Sequence, residues 1–203
     1  MNQDIQADMT VSASAQRGAA IGAGKGLKTH YSVEAHDPQG RLKWRDEFDN
    51  IVVTAGLNDS LDKHFKGSNY TAAWYVGLLS ATPTVDPTDT MASHAGWTEV
   101  AAYDELVRQT LTLGAVAGGS VPNTAAKAVF TISTDSTDIG GAFVSDGSAK
   151  TPAAGHNTGV LYGAGAFTAG NKSLDDGDTL TVTIALTATA AEEQFRGRRH
   201  NLE

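Results

Sequence analysis

The sequence contains no cysteine, little proline and no long apolar run. Among 203 residues there is no Cys, and Pro occurs only five times. Disulfide bonds and zinc sites with cysteine ligands are therefore excluded, and stability must come from packing or oligomerisation. No run approaches the roughly 18 consecutive apolar residues of a membrane-spanning helix, and the N-terminus lacks the pattern of a secretory signal peptide. We therefore expect no membrane partner and no export through the secretory pathway.

Positive charge is also scarce. The chain has 15 Lys and Arg residues against 23 Asp and Glu residues, which gives a formal net charge of −8. Binding to nucleic acid needs a basic face that neutralises phosphates. We therefore expect no direct nucleic-acid partner, and we interpret the acidic balance as a solubilising surface.

The residue patterns that usually carry chemistry are missing as well. The six histidines are scattered, and none forms the pair four residues apart, with a Glu base, of a zinc hydrolase helix. The sequence has no Gly-x-Ser-x-Gly nucleophile elbow. The acidic segments 135–138 and 175–178 are interpreted as hairpin turns, with weak calcium binding as the alternative. The sequence predicts no catalytic residue, no cofactor and no metal, and therefore no enzyme.

The two ends of the chain differ in composition from its middle. Residues 1–28 are rich in Ala, Gly, Ser and Gln without hydrophobic periodicity, which predicts an extended N-terminal arm. The glycine-rich part of this arm lacks the spacing of a phosphate-binding loop. Residues 191–203 form a charged C-terminal tail that carries Arg196, Arg198 and Arg199.

The middle of the chain, residues 29–190, consists of short β-type runs separated by Gly, Ser, Asn and Asp. Predicted strands are 29–36, 41–53, 72–79, 106–117, 126–133, 139–145, 158–167 and 179–188. The first two are joined by Asp37-Pro38-Gln39-Gly40, which has strong turn chemistry. This spacing predicts one all-β domain, a β-sandwich or jelly roll.

One segment, near residues 55–66, has a helical period. Large apolar residues recur there on one helical face: Leu57, Leu61 and Phe65. Thr54 or Asn58 would cap the N-terminus of this short helix, and Gly67 would end it.

The loop 89–99 combines a large aromatic residue with a histidine and a methionine. Met91 and Trp97 have two interpretations: they cover one end of the sandwich, or they lie at the centre of an interface together with His94. Under a third interpretation the protein binds glycans, and Tyr103 and Trp97 together form an exposed aromatic platform for them.

Several segments together resemble small virion structural proteins of tailed bacteriophages and prophages, which include head decoration, cement and fibre-associated proteins. These segments are VTAGLNDSL at 53–61, FKG at 65–67, YVGL at 75–78, DTMASHAGWTE at 89–99 and GDTL at 177–180. The resemblance spans roughly residues 45–190, and the segment 89–99 is its most specific part. It implies association with a capsid or tail, and it transfers no catalytic residue.

The resemblance leads to one hypothesis with two rivals. The first is a capsid decoration or cement protein, assembled in the host bacterial cytoplasm and located on the capsid surface of the virion. Its partners would be the major capsid protein and copies of itself, with residues 1–28 and 191–203 as clamps. Arg196, Arg198 and Arg199 would then contact an acidic capsid surface. The alternatives are a tail-tube, baseplate or fibre-associated protein that contacts host surface glycans, and a bacterial carbohydrate-binding module.

Overall fold

A computed structural model describes residues 26–68, 73–151 and 155–188 of the chain. These residues form one helix, α1 (Thr54–Phe65), and thirteen strands. The strands are β1 (Leu27–His36), β2 (Leu42–Asp49), β3 (Ile51–Val52), β4 (Tyr75–Leu79), β5 (Glu99–Val100), β6 (Gln109–Thr110), β7 (Ser120–Pro122), β8 (Ala128–Thr131), β9 (Thr137–Ile139), β10 (Gly141–Ser145), β11 (Leu161–Ala166), β12 (Lys172–Leu174) and β13 (Thr179–Ala188). Within the described ranges no helix has the length and apolar character needed to span a membrane.

The strands form two main antiparallel sheets. The five-stranded sheet has the order β2-β1-β13-β7, and β8 also pairs with β13. The six-stranded sheet has the order β3-β11-β10-β4-β5, and β6 also pairs with β4. Strands β9 and β12 form a separate two-stranded sheet. The predicted all-β sandwich is therefore confirmed.

The centre of the five-stranded sheet is the long antiparallel pair of β1 and β13. The pair runs without a break from Leu27 opposite Ala188 to His36 opposite Thr179. Apolar residues alternate with Thr along most of β13, and Leu180, Val182 and Ile184 are fully buried in the core between the two sheets. This period of two is the pattern of a strand with one face in the core, which is why the sequence predicted β13 with its observed bounds.

The central strand of the six-stranded sheet is buried on both faces. All five residues of β10 are buried. Ala142 and Val144 belong to the core between the sheets, whereas Phe143 belongs to a second apolar cluster. Because successive side chains of a strand point to opposite faces, this second cluster lies on the other face of the six-stranded sheet. Its buried members are Val53, Leu79, Met91, Trp97, Phe143, Leu161 and Ala164.

The turn after β1 has the predicted chemistry. The N–H of Gly40 donates to the carbonyl of Asp37 at 2.8 Å, and Gly40 has a φ of 77°. The Asp37 carboxylate accepts the backbone N–H groups of Gln39 and Arg41 at 3.0 and 2.8 Å. These bonds close the β1–β2 hairpin, and the one to Arg41 lowers the pKa of Asp37.

Helix α1 occurs where the apolar period predicts it, but its start differs from the prediction. Its N-cap is Val53, which makes no side-chain capping bond. Thr54 and Asn58 lie inside the helix, so both predicted caps were wrong. Backbone contacts replace a cap, because the N–H of Thr54 donates to the carbonyl of Pro87 at 2.9 Å. The end is as predicted: Gly67 follows the last turn with a φ of 69°.

Two other boundaries need correction. The predicted strand 106–117 is reduced to Gln109–Thr110, since Leu106 is 89% exposed and the neighbouring Arg108 turns inward and is fully buried. Strand β1 begins at Leu27, so the predicted arm 1–28 overlaps the sandwich by two residues. Residues 1–25 and the predicted tail 191–203 lie outside the described residues.

Candidate interaction surface

The loop 89–99 packs onto the outer face of the six-stranded sheet. The Trp97 ring lies 5.2 Å from the Phe143 ring, and its Nε1–H donates to Asp89 at 3.0 Å. The His94 ring stacks on the Trp97 ring, with centroids 3.7 Å apart. Nδ1 of His94 lies 3.0 Å from the carbonyl oxygen of Trp97. Since a carbonyl only accepts, the imidazole is held with its proton on Nδ1.

This packing decides between the two interpretations of the loop. Met91 is 1% exposed and Trp97 is 4% exposed. Both side chains are enclosed by the chain itself, so they cover one face of the sheet and offer no surface to a partner. The expected interface role of Met91 and Trp97 is thus corrected, and His94 is left half-buried at the edge of the cluster.

Tyr103 is likewise part of the interior. It is 2% exposed, and its ring packs edge-to-face on Phe130 with centroids 5.0 Å apart. Lys150 Nζ lies 3.9 Å from the centre of the same ring. Burial raises the pKa of Tyr103 well above its usual range, and the hydroxyl has no hydrogen-bond partner among the described residues. An exposed platform of Trp97 and Tyr103 therefore does not exist.

The acidic turns are occupied by internal partners. Lys43 Nζ contacts Asp178 at 2.5 Å and Asp175 at 3.4 Å, and the hydrogen bond to Asp178 raises the pKa of Lys43. Asp135 accepts the backbone N–H of Asp176 at 3.0 Å. In the parts of the chain that the structure describes, no group of three or more His, Asp or Glu residues is arranged to hold a metal ion. The turns are tied to each other and to β2.

Sequence reasoning missed a fully buried ion pair. All five N–H groups of Arg108 donate: two to Glu99, two to the carbonyls of Gly147 and His156, and one to Ser145. The side chains of Arg108 and Glu99 are 0% and 3% exposed. A single Arg between Val107 and Gln109, in a segment of mixed polarity, gives no signal of burial. With every donor satisfied, the pair positions the loop after β10 and is not available for catalysis or binding.

An open apolar surface lies on α1. Leu57, Leu61 and Phe65 are 39%, 56% and 76% exposed, although the helical period predicts them on one face. They form one wall of a groove of about 760 Å³, and the opposite wall comes from the five-stranded sheet. Residues from that sheet and from β11 that line the groove are Leu27, Tyr162, Leu186 and Ala188. We call this surface the helix groove.

The helix lies close to the six-stranded sheet because of Gly56. A Cβ at this position would overlap the backbone of Tyr162, so only glycine permits this distance between α1 and β11. The close approach holds Tyr162 at the floor of the groove. A smaller apolar cavity of about 220 Å³ adjoins it, lined by Trp74, Leu111 and Leu113 among others.

Both described ends of the sandwich meet the same groove. Gly26, the first described residue, and Ala188, the last, both line it. This follows from the register of the β1–β13 pair, which places Leu27 opposite Ala188. The two described ends of the chain therefore lie next to each other beside the helix groove. The predicted contact residues Arg196, Arg198 and Arg199 belong to the segment 189–203, outside the described residues.

Comparison of the chain with protein family models, curated proteins and solved structures finds no match. Function is therefore argued from the residues and from the surface that they form.

Proposed function

We propose that this protein is a structural component of a tailed-bacteriophage virion, in the role of a capsid decoration or cement protein. It would bind the lattice of the major capsid protein as one of several copies on the capsid surface. The observation that carries the proposal is that the two described ends of the chain, Gly26 and Ala188, lie together beside an open apolar groove. A rigid domain that presents two long segments together can fix itself to neighbouring subunits in a lattice.

The energetics of such segments support this role. Segments rich in Ala, Gly and Ser lose conformational entropy when they become ordered, and contacts in the assembled lattice offset that cost. Basic residues of the C-terminal segment would meet acidic groups of the capsid. The chain carries a net negative charge of −8, which makes unspecific attraction to packaged DNA unfavourable.

The resemblance of the segment 89–99 to phage virion proteins supports the same proposal in a new way. In this fold the segment carries the Asp89–Trp97 hydrogen bond and fills the second apolar cluster. The residues that carry the resemblance therefore help to build the domain.

Cosedimentation of the purified protein with two kinds of particle tests the proposal. The particles are expanded heads that lack the protein and purified tails of the same phage. We expect saturable binding to heads, and much weaker binding by a variant that lacks residues 1–25, which leaves β1 intact. Leu106→Ser is the matched control, because Leu106 is exposed and does not line the helix groove.

Three results would count against the proposal. Binding to tails and not to heads would favour the tail-tube, baseplate or fibre-associated alternative. Binding to neither particle would overturn the virion role. Equal binding of the shortened variant would refute the role of the N-terminal segment as a clamp.

A further inference from the structure

The exposed apolar face of α1 is a candidate binding surface. Three large side chains in a row, Leu57, Leu61 and Phe65, stand between 39% and 76% exposed around a concave surface. Contiguous exposed apolar surface of this kind marks a binding site or promotes aggregation. The described residues that line the groove include no Lys, Arg, Asp or Glu, and nearby charges of α1 pair with each other: Lys63 with Asp59 at 3.7 Å and Lys66 with Asp62 at 2.8 Å. The groove is therefore suited to an uncharged apolar occupant.

We propose that the occupant is the chain's own N-terminal segment, with residues 19–25 lying along α1 and Ile21 as the apolar anchor. The first argument is reach. Ile21 is five residues from Gly26, which forms the rim of the groove, and five extended residues span at most about 18 Å. A helix of 12 residues is about 18 Å long. The segment can thus place Ile21 at any point along the exposed face.

The second argument is composition. Ile21 is flanked by Ala19, Ala20, Gly22 and Ala23, so the backbone of this segment can approach the helix closely. The segment has no charged residue between Arg17 and Lys25, which matches a groove whose described lining holds no Lys, Arg, Asp or Glu. The C-terminal segment fits less well. Its first large apolar residue, Phe195, comes seven residues after Ala188 and stands between Glu193-Gln194 and Arg196.

The third argument is against a second copy of the chain as the occupant of the groove. Two leucines and one phenylalanine that are 39% to 76% exposed supply only part of the about 800 Å² per partner that a stable interface buries. A segment tethered at the rim needs far less area, because its effective concentration is in the millimolar range. The inference concerns the isolated protein and does not rest on the proposed function, so either can fail alone.

The absence of cysteine makes a direct test possible in the full chain. Ile21→Cys is combined with Leu61→Cys, and disulfide formation under mild oxidation is followed by mass spectrometry without reduction. Two double variants serve as comparisons: Phe195→Cys with Leu61→Cys for the C-terminal segment, and Ile21→Cys with Leu106→Cys for random encounter. We expect an intrachain disulfide in the first variant, formed at least tenfold faster than in either comparison.

Hydrogen exchange gives an independent measurement on a variant without new cysteines. Ile21 lies outside the described sandwich, so Ile21→Asp should leave amide exchange in the strands of the sandwich unchanged. We expect amide exchange in α1 to become faster by about tenfold, since burial of one Ile side chain is lost. Unchanged exchange in α1, or an Ile21–Leu61 pair that reacts no faster than the Leu106 comparison, would overturn the inference. So would a disulfide between two chains, which assigns the groove to a second copy, or a faster reaction of the Phe195 pair.

Discussion

Arg108 and Glu99 form a buried two-point ion pair. Nε of Arg108 donates to Oε1 of Glu99 at 2.7 Å, and Nη2 donates to Oε2 at 2.8 Å. Glu99 also accepts from the backbone and hydroxyl of Thr151 at 3.3 and 3.1 Å. One carboxylate thus connects β5, the residue before β6 and the loop after β10.

Breaking this pair should be among the most damaging single changes. Arg108→Met leaves a buried carboxylate without its counter-charge, which costs about 3–5 kcal/mol of unfolding free energy. Denaturant unfolding followed by circular dichroism measures the loss. Arg41→Ala is the control: that arginine pairs with Asp37 but its side chain is 77% exposed, so the change should stay within about 1 kcal/mol. Similar losses in the two variants would contradict the prediction.

Trp97→Phe tests the packing of the loop 89–99. It removes the hydrogen bond to Asp89 and leaves a buried carboxylate with one donor fewer, so we expect a loss of about 1.5–3 kcal/mol. Trp44→Phe removes the same atoms, but Trp44 Nε1 is buried without a partner among the described residues, so less should be lost. Fluorescence-detected unfolding compares the two. A greater loss for Trp44→Phe would show that the hydrogen bond to Asp89 contributes little.

Tyr103→Phe should leave the protein equally stable or make it more stable at neutral pH. The hydroxyl is buried without a described partner, and its removal relieves a desolvation cost of about 1–3 kcal/mol. Tyr31→Phe is the matched variant. The Tyr31 hydroxyl accepts a hydrogen bond from Asn50 Nδ2 at 3.3 Å, so its removal should destabilise the protein. Thermal unfolding of both variants and of the original protein measures these changes in stability. Destabilisation by Tyr103→Phe alone would refute the prediction.

The buried tyrosines also predict a loss of stability in alkali. Burial raises the pKa of Tyr31, Tyr103 and Tyr162. In the unfolded chain a tyrosine releases its proton near pH 10. Above that pH the unfolded state binds fewer protons than the folded state, so stability falls as pH rises, by about 1.4 kcal/mol per pH unit for each tyrosine. The unfolding free energy of Tyr103→Phe should fall less steeply with pH above about pH 10. An unchanged slope would argue against a raised pKa of Tyr103.

Gly77→Ala should disturb the second apolar cluster. A Cβ at this position would overlap the ring of Phe143, its cross-strand neighbour, and that ring is backed by Trp97. Overpacking of this kind costs about 1–3 kcal/mol. Gly26→Ala is the control, because no atom lies within 4 Å of its added Cβ. Equal stability of the two variants would mean that the cluster can rearrange.

Local periodicity made part of this fold predictable. The alternation in β13, the turn after β1 and the period of α1 each depend on neighbours in sequence, and all three occur as predicted. The burial of Trp97 was open to two interpretations, because it depends on Phe143, which is distant in sequence. The helix groove was not predictable either. A helical period shows that Leu57, Leu61 and Phe65 share a face, but not whether that face meets the core or the solvent.

The pairing of β1 with β13 has a mechanical consequence. Because the strands are antiparallel neighbours and Leu27 lies opposite Ala188, a force that pulls the two terminal segments apart acts on one rung of the ladder at a time. Such peeling needs little force, whereas a pull on both segments in the same direction loads the whole sheet. Attachment of both segments to the same neighbour would therefore resist tension, and attachment to two diverging neighbours would open the sandwich from this end.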